Sequence, residues 1–208
     1  MANILPTGIA VLDRMIGGGI PAGSVVAITA KPASQSELIL YELTAARPTL
    51  YLTTLRSRAA VAQALEEAQT RVGDPHIHDL GREAPLDHAN QQIRTLPEGA
   101  SLIIDPVDPL ESGGSVRYSS FLSELQTHMT NTGSVAFLHA MEGRSVGEER
   151  DLTEYMADVV FRLETKVQGD TLENRLAVPK FRGGPAMDEP IKLELRDRVS
   201  IDTSRDIA

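Results

Sequence analysis

The chain has 208 residues, a formal net charge of -9, 41% hydrophobic residues and only 4% aromatic ones. That length fits one domain, residues 1–208, with a sizeable core, and the acidic balance argues against a generic polyanion binder. Cysteine is absent, which excludes a disulfide framework and any Cys-based metal or redox site; no basic-then-apolar leader follows Met1 and no apolar run reaches membrane-spanning length, so a soluble, cytoplasmic protein is expected.

Strand-like and helix-like runs alternate along the first three quarters of the chain, the pattern of an α/β fold with a mostly parallel sheet. Residues 24–29, Ser-Val-Val-Ala-Ile-Thr, read as a buried strand, and Leu38 to Ala46 as the helix that follows. Leu50–Thr53 is a second strand. Arg58–Val72 carries Val61, Leu65 and Ala68 at helical spacing. Ile77–Leu80 is a short strand and Leu86–Leu96 a helix stopped by Pro97-Glu98-Gly99. Leu102–Asp105 and Val135–His139 are central strands, with a helix over Ser119–Met129 between them and a short helix at Leu152–Met156. From Val159 the pattern changes: 159–165, 173–181, 191–195 and 199–201 read as strands with tight connections, and Gln168-Gly169-Asp170 as a hairpin turn. These predict an antiparallel extension of the parallel sheet. Residues 113–115 and 141–150 are the expected mobile loops.

Ala30-Lys31-Pro32-Ala33-Ser34-Gln35-Ser36-Glu37 lies between the first strand and its helix. A Walker A loop, G-x-x-x-x-G-K-[ST], belongs between two such elements. Here Ala30 and Gln35 take the glycine positions, Ser36 the lysine position and Glu37 the Ser/Thr position. Glycines let backbone N–H groups curl around phosphates, the lysine neutralises them and the hydroxyl holds Mg²⁺. Ser36 offers no charge, and Glu37 puts a carboxylate where a triphosphate would sit. A bland reading makes Ser34 an N-cap and Glu37 its capping-box partner. The residues that would meet a ligand here are Pro32, Ser34, Gln35, Ser36, Glu37 and Asp105, the last ending an apolar strand on the side where open α/β sheets bind ligands.

The run Thr7-Gly8-Ile9-Ala10-Val11-Leu12-Asp13, continuing through Gly17-Gly18-Gly19 to Gly23, resembles the start of the core of RecA/KaiC-like P-loop ATPases. Ser101–Asp105 resembles their Walker B strand, Met156–Glu164 their A-D-x-V-x-x-L-E segment, and Ala177–Gly183 their K-x-R-G segment. The resemblance spans about Leu5 to Thr203 and implies a RecA-like core. It also implies that Lys180 and Arg182 are fingers reaching a neighbouring subunit's nucleotide. Two departures stand out. The Walker A chemistry is replaced, and Leu55 and Arg56 occupy the place of the family's catalytic glutamates after the second strand. Without a carboxylate there, no general base orients an attacking water. The four lysines (Lys31, Lys166, Lys180, Lys192) and the acidic, aromatic-poor composition resemble proteins of salt-loving archaea.

Other groups carry less. His76 and His78 flank Ile77, but no third metal ligand is identifiable, so no metal site is assigned. His139 follows a core strand near the presumed site and reads as a satisfied core histidine or, alternatively, a ligand sensor; the five histidines and scattered serines show no catalytic-triad order. Lys180 and Arg182, two apart on a strand, share a face. Arg144 and Arg150 lie where RecA-like proteins place DNA-contacting loops, yet acidic residues surround them and few aromatics are present for stacking. The sequence therefore points to a non-hydrolysing RecA/KaiC-superfamily paralogue, a regulatory or assembly subunit with itself or related subunits as partners. The alternatives are an ATP/Mg-binding ATPase of DNA recombination, repair or signalling, and a small-ligand sensor using the old cleft.

Overall fold

In the computed structural model, residues 3–184 and 189–202 are described. Among them, nine strands form one twisted sheet. Its parallel part is built from β3 (Val25–Ala30), β4 (Thr49–Thr53), β5 (His76–Asp79), β6 (Ser101–Asp105), β7 (Val135–Met141) and β8 (Val159–Gln168). Three antiparallel strands extend it: β9 (Thr171–Phe181), β10 (Ile191–Leu195) and β11 (Val199–Ile201). The spatial order is β11-β10-β9-β8-β3-β7-β6-β4-β5, the expected parallel core with an antiparallel flank. The central strands are buried on both faces, which is why they read as unbroken apolar runs.

One face carries α1 (Ala10–Met15), α2 (Glu37–Thr44) and α3 (Arg58–Glu67) over a core that includes Ile28, Tyr51, Ile103, Phe137 and Phe161. The opposite core takes Leu52, Leu102, Ile104 and Leu138 from the sheet. It is covered by α4 (Pro85–Ile93), α5 (Asp108–Glu111), α6 (Ser115–Thr132) and α7 (Arg150–Met156). Predicted helix ends moved: α3 stops five residues earlier than its apolar spacing predicts, and α6 runs from Ser115 to a left-handed Gly133 cap.

The glycine-rich opening run builds a small clamp that strand and helix patterns did not reveal. β1 (Ile4–Leu5) pairs antiparallel with β2 (Ile20–Pro21). Asp13 accepts from the Thr7 amide and hydroxyl, both at 2.7 Å, and from the Gly8 amide at 3.2 Å. Gly19 has φ +144°, and a Cβ there would sit 2.3 Å from the Leu5 carbonyl oxygen, so backbone meets backbone where no side chain fits.

Candidate functional site

Four neighbouring parallel strands, β3, β7, β6 and β4, end at one edge of the sheet, and α2 starts above it. Ligands bind at such edges in open α/β sheets. Here the edge carries a closed hydrogen-bonded cluster. Asp105, the last residue of β6, accepts from Tyr51 Oη at 2.5 Å and from Arg56 Nη2 at 2.9 Å, both through Oδ2. Its Oδ1 lies 2.7 Å from His139 Nδ1 on β7. The other ring nitrogen, Nε2, lies 3.1 Å from Ser36 Oγ. Arg56 also donates to Tyr41 Oη at 3.1 Å, tying α2 to the same group.

The electrostatics follow. Burial by itself would raise the Asp105 carboxyl. The hydrogen bond and charge of His139, the Tyr51 hydroxyl and the Arg56 guanidinium override burial and hold it down to about 2. Burial raises the Tyr51 phenol well above its ordinary value, and the adjacent Asp105 charge adds to that. Asp105 is thus a carboxylate with a hydrogen-bond partner on each oxygen.

Ser36 is the N-cap of α2, which begins at Glu37, and its hydroxyl makes no capping bond. The expected capping box is overturned: Ser34 Oγ donates instead to the Lys31 carbonyl at 2.6 Å, closing the loop one turn before the helix. The reason is local, since Ser34 sits inside a compact Lys31–Ser34 turn and lies before the first helical residue's cap. Gln35 and Pro32 are exposed. The strand β7 runs on to Met141, and the Glu142 amide donates to the Ala30 carbonyl at 2.7 Å, so the loop after β7 is laced to the end of β3.

Of the two residues at the expected glutamate positions, Arg56 turns in to Asp105 and Leu55 faces out, 57% exposed. Arg150, expected in a mobile loop, is instead buried. It donates to Glu111 Oε1 at 2.9 Å, Asp108 Oδ1 at 2.8 Å and the Met141 carbonyl at 2.8 Å. Glu111 also accepts from Thr153 Oγ1 at 2.6 Å, and Tyr118 Oη lies 2.7 Å from that hydroxyl. A neutral residue at Arg150 would strand two carboxylates, which explains why the arginine folds inward.

Lys180 and Arg182 share one face at the end of β9, as their spacing predicts, and converge on the end of α7. Lys180 Nζ donates to the Glu154 and Tyr155 carbonyls at 2.9 and 2.6 Å, a cation at a helix C-terminus. Arg182 pairs with Asp158 at 3.1 Å. Asp158 in turn accepts from the Val25 amide at 2.9 Å. The sequence grouped Ser36 with Asp105 at one edge; what it did not reveal is His139 as the bridge between them, since that residue carries no local signature.

A family profile matches residues 4–208; it describes a family of unknown function, DUF7125. The chain belongs to this family. No curated protein matches it. Among solved structures, the KaiC-like protein PH0186 from the hyperthermophilic archaeon Pyrococcus horikoshii OT3 is similar at a TM-score of 0.75 and 17% identity. The match covers 96% of this chain and 100% of that one. At that identity the likeness establishes the fold: this DUF7125 member has a KaiC-like, RecA-type core. No helix of the described residues is long and apolar enough to cross a membrane.

Proposed function

We propose that this DUF7125 chain is a non-hydrolysing member of the RecA/KaiC superfamily that acts as a regulatory or assembly subunit. The observation that carries this is the state of Asp105. It occupies the Walker B position, and Arg56, Tyr51 and His139 take up both its oxygens. A Mg²⁺ would have to displace an arginine and break these bonds before it met the carboxylate. Above it, Ser36 stands in the lysine position and points its hydroxyl down to His139. Glu37 adds a negative charge at the helix start. At an effective dielectric near 20, a carboxylate roughly 5 Å from a phosphate charge costs about 3 kcal/mol per charge.

The partner reading rests on the β9 end. Arg182 keeps its side chain 58% exposed while paired to Asp158, and Lys180 and the 73% exposed Tyr155 flank it. A neighbouring subunit of the same superfamily is the partner this edge suits. The second reading, an ATP/Mg-binding ATPase, draws on the retained Asp105.

Equilibrium binding of Mg-ATP to the folded chain, at low and at multimolar KCl, separates the two. We expect no binding at millimolar ligand. We also expect the triple change Gln35→Gly, Ser36→Lys, Glu37→Thr to create affinity. Micromolar binding by the unaltered chain, with ATP turnover abolished in Asp105→Asn, would refute the proposal.

A further inference from the structure

The geometry points to a second chemistry at this edge: Ser36, His139 and Asp105 form an acyl-transfer triad for small, uncharged esters. Ser36 Oγ to His139 Nε2 is 3.1 Å, and His139 Nδ1 to Asp105 Oδ1 is 2.7 Å. Each imidazole nitrogen has its own partner, one hydroxyl and one carboxylate, as a serine nucleophile, its base and its orienting acid require. The acid is itself fixed, because Tyr51 and Arg56 hold its other oxygen. Ser36 is free for the role: it sits at the N-cap of α2 without capping it.

Placement supports the same assignment. The nucleophile follows β3, the acid ends β6 and the base lies on β7, so the chain order is Ser, Asp, His, as in α/β-hydrolases. The sharp G-x-S-x-G turn of those enzymes is absent; Ser36 has ordinary helical backbone angles, φ -61° and ψ -28°. Among the described residues no acceptor takes the backbone amides of Ser36 and Glu37. Together with the helix start they are the donors available to a developing oxyanion. Ser36 is 3% exposed and the His139 side chain 11%. So enclosed a hydroxyl excludes bulky acyl groups, and Glu37 at the helix start disfavours an anionic one.

The step balances within the site. Ser36 Oγ bonds the ester carbonyl carbon as its proton passes to His139 Nε2. The tetrahedral adduct collapses, the carbon–oxygen bond to the alcohol breaks, and the alcohol leaves with that proton. Water repeats the sequence on acyl-Ser36, giving a carboxylic acid and free Ser36. Asp105 is a positioning residue that keeps the Nδ1 proton directed away from Ser36.

The test uses the full chain with a serine-directed fluorophosphonate, mapped by peptide mass, and with p-nitrophenyl acetate turnover. We expect one adduct, on Ser36, and none in Ser36→Ala. His139→Gln can still hydrogen-bond but cannot take a proton, so labelling and turnover should fall at least ~100-fold on protein that circular dichroism shows to be folded. Asp105→Asn should lower kcat by ~10³-fold or more with KM little changed, a split that loss of structure would not give. An unlabelled Ser36 on folded protein, or rates unchanged in His139→Gln, would overturn the triad. Either result leaves the nucleotide question untouched, because neither readout involves ATP.

Discussion

Replacing Asp105 by Asn and following stability against pH tests the electrostatic account of the cluster. The folded carboxyl is held down to about 2, from an ordinary value of 3.8. That difference is worth about 2 kcal/mol. The sign follows from the direction: a depressed carboxyl contributes stability that is fully present above 3.8 and is lost as pH falls toward 2. The side chain is only 7% exposed, so solvent screening removes little of it. In Asp105→Asn the contribution is absent at every pH, and Arg56 and His139 are left facing an amide. Urea unfolding followed by circular dichroism at pH 6, 4, 3 and 2.5 should therefore find the variant about 2 kcal/mol less stable at pH 6. The two curves should approach each other below pH 3. Every other carboxyl titrates in both proteins and cancels. Parallel curves from pH 6 to 2.5 would refute the claim that His139, Tyr51 and Arg56 hold this charge.

Arg150→Met should cost roughly 3–5 kcal/mol, since it leaves the fully buried Glu111 carboxylate without its cation. Adding Glu111→Leu should recover much of that loss, and urea midpoints read both; a single-variant loss under ~1 kcal/mol would mean the pair is dispensable. Gly19→Ala should lower the melting temperature by several degrees. Its Cβ would meet the Leu5 carbonyl at 2.3 Å in a backbone with φ +144°, a strain of roughly 1–3 kcal/mol.

How much of this was legible in the sequence depends on how local each feature is. The parallel strands were legible because burial on both faces writes itself as runs such as Leu102-Ile103-Ile104. The antiparallel flank was legible from the shorter, turn-separated segments after Val159. β1, β2 and α1 were not, since two-residue strands and a six-residue helix carry too little periodicity, and tertiary bonds from Asp13 hold them. The start of α2 was legible to within a residue, but its cap was not, because Ser34 has the residue type of a cap while its hydroxyl is engaged by Lys31. The bridging part of His139 between Ser36 and Asp105 was illegible for a different reason. Ser36 and His139 are 103 residues apart, and His139 and Asp105 are 34 apart. They meet only because β7 lies between β3 and β6 in the sheet, an order that spacing along the chain does not encode.

The same sheet order explains why the family-like segments and the altered ones play different parts. Asp13 and Asp158 both accept backbone amides, from Thr7 and Gly8 and from Val25. Replacing either would leave buried donors unmet, at roughly 1–3 kcal/mol each, whatever the protein binds. Their presence therefore speaks for the fold and is silent on nucleotide. Ser36 and Arg56 have no such backbone duty: their side chains bond other side chains at the strand edge, Ser36 to His139 and Arg56 to Asp105 and Tyr41. Arg56 supplies a cation at Asp105 from within the chain, which is the charge a bound Mg²⁺ would otherwise bring. A cleft whose carboxylate is paired internally needs no bound cation to balance that charge, and that is the physical sense in which this edge is complete on its own.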